Sequence, residues 1–147
     1  MEEKPYTAQL SLRLSHEALD LTSICDALEM QPRVIWKAGD RNVTPAGTPI
    51  EGTRNNSYCS IDLFPASDRP LHRQVDEALA LLERHAATLQ GFHRDGGKVD
   101  LCIGWFCIAD TGTTLDASVV ERLARIKTGL DMHVYVPDPV GSTDLQE

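Results

Sequence analysis

The segment at residues 6–15 alternates apolar and polar side chains along its whole length. Its apolar positions are Tyr6, Ala8, Leu10, Leu12 and Leu14. Successive side chains of a strand point to opposite faces, so this period of two predicts a strand that is buried on one face and solvated on the other. Such strands are typical of antiparallel sheets that have one packed and one solvated face. The segment therefore favours folds with one covered and one open sheet face.

Seven further segments carry the pattern of a strand or a helix. Alternation or a short apolar run predicts strands at residues 33–37, 57–64, 99–108 and 131–136. Apolar residues at every third or fourth position predict helices at residues 20–30, 69–90 and 116–128. Asp20 and Asp116 are suited to cap the first and last of these helices. Gly91 and Gly129 are suited to end the second and the third.

The resulting element order is β-α-β-β-α-β-α-β. Its first six elements follow the split β-α-β plan of ferredoxin-like folds, and the last helix and strand extend that plan. We therefore predict an α+β fold with a ferredoxin-like split β-α-β sheet (β-α-β-β-α-β), extended by a further α-β unit, with its helices mainly on one face. A chain of 147 residues suits one domain, which we place at residues 1–136. The polar, acidic segment 137–147 is predicted to be a disordered tail.

The segment 37–56 lacks the pattern of a strand or a helix. It contains three glycines, two prolines and few large apolar residues. Loops of this length are uncommon in compact domains and are usually functional or mobile. We expect a mobile loop here, and a hairpin arm that contains Val43 and Ile50 is the alternative.

The strand at 99–108 is apolar on both of its faces. One face has Val99, Leu101, Ile103 and Trp105, and the other has Cys102, Phe106 and Ile108. A strand of this kind is covered on both sides for part of its length. Either another element of the chain or a partner subunit must supply the second cover, so the pattern motivates a homodimer as one hypothesis.

The overall charge disfavours several classes of function. The chain has 22 acidic and 14 basic residues and a formal net charge of −8. Nucleic-acid binding needs clustered lysines and arginines, so we expect no nucleic-acid partner, whereas a basic protein partner would suit this charge.

No apolar run approaches the roughly 18 residues of a membrane span, and the acidic N-terminus does not resemble a signal peptide. We therefore expect no membrane association and a cytoplasmic location.

The sequence contains no established catalytic or metal-binding motif. Its four cysteines form no C-x-x-C pair, and we expect them to be buried free thiols.

His72 lies one helical turn from Asp68 and Asp76. This spacing suits general-base catalysis or, as we favour, a surface pair. Trp36 and Trp105 are expected in the core. We predict no catalytic residue, no metal site and no cofactor, and we favour a non-enzymatic protein over an enzyme.

The polar face of the predicted sheet is the candidate binding surface. If the alternation of the strands holds, eight polar or aromatic residues share this face. They are Gln9, Ser11, Arg13, Tyr58, Ser60, Asp62, His133 and Tyr135. Tyrosine and arginine are enriched at the centres of protein interfaces. The alternative is an ordinary solvated sheet face, and a register shift of one residue would scatter the set.

Local motifs of the chain resemble those of the family called domain of unknown function 4279. The run from Leu28 to Pro32 resembles the family's helix end, Trp36 its tryptophan, and Gly39-Asp40 its glycine–aspartate pair. The resemblance extends over residues 6–136. Glu29 stands where the family has glycine, and Tyr58 stands where many members have a second tryptophan. The resemblance implies the fold and a bacterial source but no known activity, and some members occur in toxin–immunity settings.

Three functions are consistent with these observations. The first is a non-catalytic protein-binding domain, in its most specific form an immunity-type protein that binds a cognate toxin. The second is a small-molecule or regulatory binding module that acts as a dimer. The third is an enzyme that uses His72, or His133 with Asp62, and only fold analogy supports it. We favour the first of these.

Overall fold

A computed structural model describes residues 5–137 of the chain. Over these residues the chain forms seven strands and four helices. In chain order they are β1 (Tyr6–His16), α1 (Thr22–Leu28), β2 (Val34–Trp36), β3 (Arg41–Val43), β4 (Pro49–Thr53), β5 (Ser57–Ser67), α2 (Leu71–Glu83), α3 (Ala86–Arg94), β6 (Lys98–Cys107), α4 (Ala117–Arg125) and β7 (Thr128–Tyr135). The predicted tail at 137–147 lies, apart from Pro137, outside the described residues.

Five of the strands form one mixed sheet in the order β2-β5-β1-β6-β7. All neighbours in this sheet are antiparallel except β6 and β7, which are parallel. Strands β3 and β4 form a separate two-stranded sheet. The chain therefore has an α+β fold in which the long strand β1 occupies the centre.

The core lies between the sheet and its helices. Leu10, Leu12 and Leu14 of β1 are fully buried, which follows from the alternation of that strand. They belong to one cluster with residues of α2 and α3, among them Leu79 and Phe92. Burial of each large aliphatic side chain contributes about 1.5–3 kcal/mol. This cluster joins the helices to one face of the sheet and leaves the other face to the polar positions.

The predicted long helix at 69–90 is divided into two. Helix α2 ends before Arg84, and His85 leaves the helical conformation with φ −117° and ψ 26°. The amide of His85 donates to the carbonyl of Leu82 over 2.9 Å, a tight turn that redirects the chain into α3. The prediction that Gly91 ends the helix is wrong, because Gly91 lies inside α3. The break lets α3 bury its own apolar residues in the core.

The helix ends differ from the local expectations in three places. The N-cap of α1 is Leu21 and not the predicted Asp20, although the Asp20 carboxylate accepts from the amide of Thr22 over 2.9 Å. Helix α1 ends at Glu29, which adopts the left-handed conformation with φ 58°, a conformation that glycine adopts more readily. Helix α4 is capped by Asp116 as predicted, since its side chain accepts from the amide of Val119 over 3.1 Å. Helix α4 ends before Lys127, whose φ is 56°, and not at Gly129 as predicted. Gly129 lies in β7, where a Cβ would be 2.5 Å from a carboxylate oxygen of Asp100.

The segment 37–56 contains a hairpin. Strands β3 and β4 pair with each other, and the amide of Thr44 donates to the carbonyl of Thr48 across the turn over 2.8 Å. The expectation of a loop without elements is therefore wrong, and the alternative hairpin, with Val43 and Ile50 in its two strands, is present. Periodicity could not reveal it because the strands have only three and five residues.

Candidate functional site

Strand pairing brings the eight predicted residues to one face of the sheet. Ser11 lies opposite Asp62 and Arg13 opposite Ser60 in the β1–β5 pair. Gln9 lies opposite Gly104 of β6, which in turn lies opposite His133 of β7. We call this face, which carries Gln9, Ser11, Arg13, Tyr58, Ser60, Asp62, His133 and Tyr135, the open face. The β1–β5 register is regular from the Ser11–Asp62 pair to the His16–Ser57 pair, and its irregularities lie between Ala8 and Ser11 of β1. Gln9 keeps a regular register with β6. A binding role for the open face remains a prediction.

A shallow groove of about 130 Å³ runs across the middle of the open face. Six of the predicted residues line it, from Gln9 and Arg13 on β1 to His133 and Tyr135 on β7. Tyr58 lies outside the groove, and Ser60 is buried. Ser60 therefore supports the surface and cannot contact a partner directly.

Two arginines of the groove are paired with carboxylates. Arg33 donates from Nε to Asp62 Oδ1 over 3.0 Å, and Arg13 Nη1 lies 3.9 Å from Asp131 Oδ2. Asp131 also lies 3.6 Å from Nε2 of His133. Each of these partly exposed pairs contributes at most about 1 kcal/mol to stability. The groove thus has both signs of charge in near balance, and its charge gives no separate support to a basic partner.

Sequence reasoning missed Arg33 and Asp131. Arg33 precedes β2, and it reaches the open face because its amide donates to the carbonyl of Ser60 over 2.8 Å. No local pattern marks that contact. Asp131 shares the face of His133 by simple alternation, so the period of two along β7 could have identified it.

Aromatic side chains flank the groove on the β7 side. The rings of Phe106 and Tyr135 are stacked, with centroids 4.8 Å apart and planes 12° apart. Cys102, on the same face of β6, is buried, and this burial raises the pKa of its thiol to about 11. The thiol is therefore protonated at neutral pH and is a poor nucleophile. Part of the second apolar face of β6 is thus covered by residues of the chain itself.

A second aromatic cluster lies at the opposite side of the open face. Trp36 of β2 packs on Tyr58 with ring centroids 4.7 Å apart. The guanidinium of Arg54 lies 3.8 Å from the centroid of the Trp36 ring, within the range of a cation–π contact. The expectation that Trp36 belongs to the core is wrong, since it is half-buried on the open face, whereas Trp105 is buried in the core as expected. We call Trp36, Arg54 and Tyr58 the tryptophan cluster.

Asp76, which the sequence pairs with His72 on the long helix, contacts an arginine of another helix. Asp76 accepts a hydrogen bond from Arg122 of α4 over 2.5 Å, and Glu83 accepts two more from the same guanidinium. The hydrogen bond from Arg122 lowers the pKa of Glu83 below its ordinary value. These contacts join α4 to α2, so Asp76 has a structural role here.

Two kinds of feature are absent from residues 5–137. No group of three histidine, cysteine, aspartate or glutamate side chains is arranged to hold a metal ion in this part of the chain. None of the helices described there is long and apolar enough to cross a membrane.

Comparison with known proteins identifies one family. The family model described as "Domain of unknown function (DUF4279)" matches residues 4–137. The resemblance inferred from the local motifs is therefore confirmed, over slightly more of the chain than expected. No curated protein and no solved structure matches this sequence.

Proposed function

The chain belongs to the DUF4279 family, and from that premise we propose that it is a non-catalytic domain that binds a protein partner on its open face. The observation that carries this proposal is the joint presentation of Arg13, Arg33, Trp36, Tyr58 and Tyr135 on one sheet. Arginine, tyrosine and tryptophan dominate the binding energy of protein interfaces. A sheet holds them in place, so little conformational entropy is lost on binding.

The shape of the open face favours a macromolecule over a small ligand. Sites for small molecules usually have volumes of about 300–1,000 Å³, and the groove has about 130 Å³. Five strands at about 4.8 Å spacing make a platform roughly 19 Å wide. A broad surface with a shallow groove and aromatic clusters at two sides suits a protein partner of mixed charge.

The more specific role of an immunity-type protein that binds a cognate toxin rests on the family resemblance. The net charge of −8 would favour a basic toxin through long-range attraction. The charge of the open face itself is balanced, so this attraction would act on the approach of the partner more than on its final contacts.

We also infer a ferredoxin-like arrangement for the first four strands of the main sheet. Strand β5 lies between β1 and β2, and β1 lies between β5 and β6. Each β-α-β unit is thus split by one inserted antiparallel strand, as in the ferredoxin-like plan. Strand β7 then extends this sheet at the β6 side.

Affinity capture with the full chain, followed by titration of the retained protein, tests the proposal. Arg13→Ala and Tyr58→Ala remove side chains from two separate parts of the open face, and each is expected to weaken binding at least about tenfold, or 1.4 kcal/mol. Arg125→Ala, an exposed arginine on α4, is the matched control and should bind normally. Failure to retain any stoichiometric partner, or equal affinities for all three variants, would contradict the proposal.

A cleft beside the tryptophan cluster favours ligand binding as a second candidate function. It lies between β2 and the β3–β4 hairpin, has a volume of about 1040 Å³, and is lined by Arg33, Arg41 and Arg54 with Asp40 as the one acidic residue among its lining. Three arginines in a chain of net charge −8 suit a ligand with a carboxylate or phosphate group. Thermal-shift titration with inorganic phosphate and with succinate tests this candidate. A rise in melting temperature that Arg41→Ala abolishes would support it, and no rise with either anion would exclude it.

A further inference from the structure

Strand β7 has one edge without a partner strand in the described part of the chain. It pairs with β6 on one side, and no other strand between residues 5 and 137 pairs with its outer side. With eight residues it presents an extended row of backbone donors and acceptors. Such edges are templates for pairing with another strand unless charge, proline or a covering element protects them.

Exposed apolar side chains are concentrated around this edge. Six of the eleven large apolar residues that are exposed within residues 5–137 lie on β7, directly after it, or at the neighbouring end of β6. They are Phe106, Ile108, Leu130, Val134, Tyr135 and Val136. Val134 is 55% exposed in the middle of this group. Apolar surface gathered in this way marks an interaction site more often than single exposed residues do.

The sequence of β7 is complementary to itself when two copies run antiparallel. Residues directly opposite in an antiparallel pair share a face of the sheet. With Met132 on a two-fold axis, Asp131 lies opposite His133 of the partner subunit, and Leu130 lies opposite Val134 of the partner subunit. Tyr135 then lies opposite Gly129 of the partner subunit, where no side chain obstructs its ring.

The neighbouring registers lack this complementarity. Moving the axis to Asp131 places two aspartates opposite each other, and like charges in that position are destabilising. Moving it to His133 places two histidines together and leaves Asp131 opposite Tyr135 of the partner subunit. Asp131 and His133 are the ionisable side chains of β7 apart from Tyr135, so the register centred on Met132 is the one that pairs the carboxylate with the imidazole.

We propose that the outer edge of β7 is a homodimer interface in which two copies of the chain pair antiparallel around Met132. The two five-stranded sheets join into one sheet of ten strands. Because the two-fold axis is perpendicular to the sheet, both open faces lie on the same side. This interface shares His133 and Tyr135 with the partner-binding surface proposed above, but Arg13 and Tyr58, which test that surface, lie away from the β7 edge. Either proposal can therefore fail without the other.

The first test measures the mass of the full chain by sedimentation velocity from low to high micromolar concentration. The wild-type chain is expected to pass from monomer to dimer. Val134→Lys places a charge among the apolar residues of the edge and should leave a monomer. Ile35→Lys is the matched control, because Ile35 is a 40% exposed apolar residue on the opposite edge strand, and it should dimerise normally. A wild-type chain that remains monomeric, or equal behaviour of the two variants, would overturn the proposal.

The second test examines the register by cross-linking. In the proposed pair the Cα atoms of the two Met132 residues lie about 4.5–5.5 Å apart, which suits a disulfide. Met132→Cys is therefore expected to form a covalent dimer with oxidised glutathione. Leu130→Cys should not, since its own copies would be separated by four residues, roughly 13 Å along the strand. The four native cysteines are buried, so we expect little background cross-linking from them. Cross-linking at position 130 and not at 132 would contradict this register.

Discussion

The two outer strands of the main sheet differ in length and in what surrounds them. Strand β2 has three residues and β7 has eight. The chain after β2 turns back at once, and the amide of Gly39 donates to the carbonyl of Arg54 over 2.9 Å. Arg54 in turn packs on Trp36 at the end of β2. One edge is therefore short and held within local structure, while the other is long and surrounded by exposed apolar side chains.

This difference shows how one chain can have a protected and an available sheet edge. Proteins usually limit edge-to-edge association with short edge strands, charges or covering segments. Strand β2 is short, the charged residues Arg33 and Lys37 flank it directly, and the β3–β4 hairpin follows it in the chain. The β7 edge has Asp131 and His133, which oppose each other in a self-paired strand and so favour one partner over others. Four changes can test this comparison, and they are described in order of decreasing expected effect.

The largest effect is expected from a change in the central strand, which supports both edges. Leu12→Ala removes a fully buried side chain and should lower the free energy of unfolding by about 2–5 kcal/mol. Urea unfolding followed by circular dichroism measures this loss. Ser11→Ala, on the open face of the same strand, is the control and should change stability far less. A loss below 1 kcal/mol for Leu12→Ala would contradict the central position of β1 in the core.

A smaller effect is expected where α4 leads into β7. Arg122→Gln breaks the contacts to Asp76 and Glu83 and should cost about 1 kcal/mol. Because the folded-state pKa of Glu83 is lowered from its ordinary value of 4.5, this contribution is complete above pH 4.5. It is lost as the pH falls through the lower folded-state pKa. The difference in stability between wild type and variant should therefore shrink in acid.

Urea unfolding at a series of pH values measures this dependence. Arg69→Gln breaks the Arg69–Glu77 pair, which is more exposed, and serves as the control with a smaller change at neutral pH. A difference between wild type and Arg122→Gln that grows as the pH falls would contradict the assignment of the contact to Glu83.

A still smaller effect is expected at the protected edge. Arg54→Gln removes the cation–π contact with Trp36, worth about 0.5–1 kcal/mol. The hairpin β3–β4 should then exchange its amide hydrogens faster, while β7 is unchanged. Hydrogen exchange followed by mass spectrometry resolves the two edges. Arg41→Gln, an exposed arginine in the same hairpin, is the control, and equal acceleration in both variants would show that Arg54 does not hold this edge.

The smallest effect per contact is expected from the polar pair at the available edge, which occurs twice in a dimer. His133→Glu places glutamate opposite Asp131 of the partner subunit, and each of the two such pairs in a dimer should cost about 0.2–1 kcal/mol. The dimer dissociation constant should rise accordingly. In a mixed dimer with Asp131→Lys, the new glutamate lies opposite the new lysine in one pair, and aspartate stays opposite histidine in the other. A mixed dimer should therefore form more readily than a dimer of either variant alone. A mixed dimer that is no more stable than the dimer of either variant would show that positions 131 and 133 of the two subunits do not lie opposite each other.

The sequence predicted the open face well because strand periodicity is a local property. Successive side chains point to opposite sides wherever the backbone is extended, so Gln9, Ser11 and Arg13 necessarily share a face. The same reasoning aligned Tyr58 with Asp62, because the irregular part of β5 begins beyond that residue. The prediction of Asp116 as a helix cap succeeded for a similar reason, since a cap contacts an amide only three residues away.

Other features of the site could not be predicted in this way. Arg33 reaches the groove, and Trp36 the open face, through pairing of β2 with β5, some 25 residues later in the chain. The division of the long helix at His85 follows from the packing of α3 against the core, and helical periodicity continues through the break. The hairpin at 41–53 depends on pairing between two strands too short to show a period.

The sequence alone determined the covered and open faces of the strands, the helical stripes, the cap at Asp116 and membership of the family. Each depends on side-chain direction or on contacts within one turn. Only the tertiary structure decided the strand order, the exposure of Trp36, the partners of Arg33 and Arg122, and the position of β7 at an edge. These depend on pairing and packing between distant segments, where backbone hydrogen bonds and buried surface outweigh local preference.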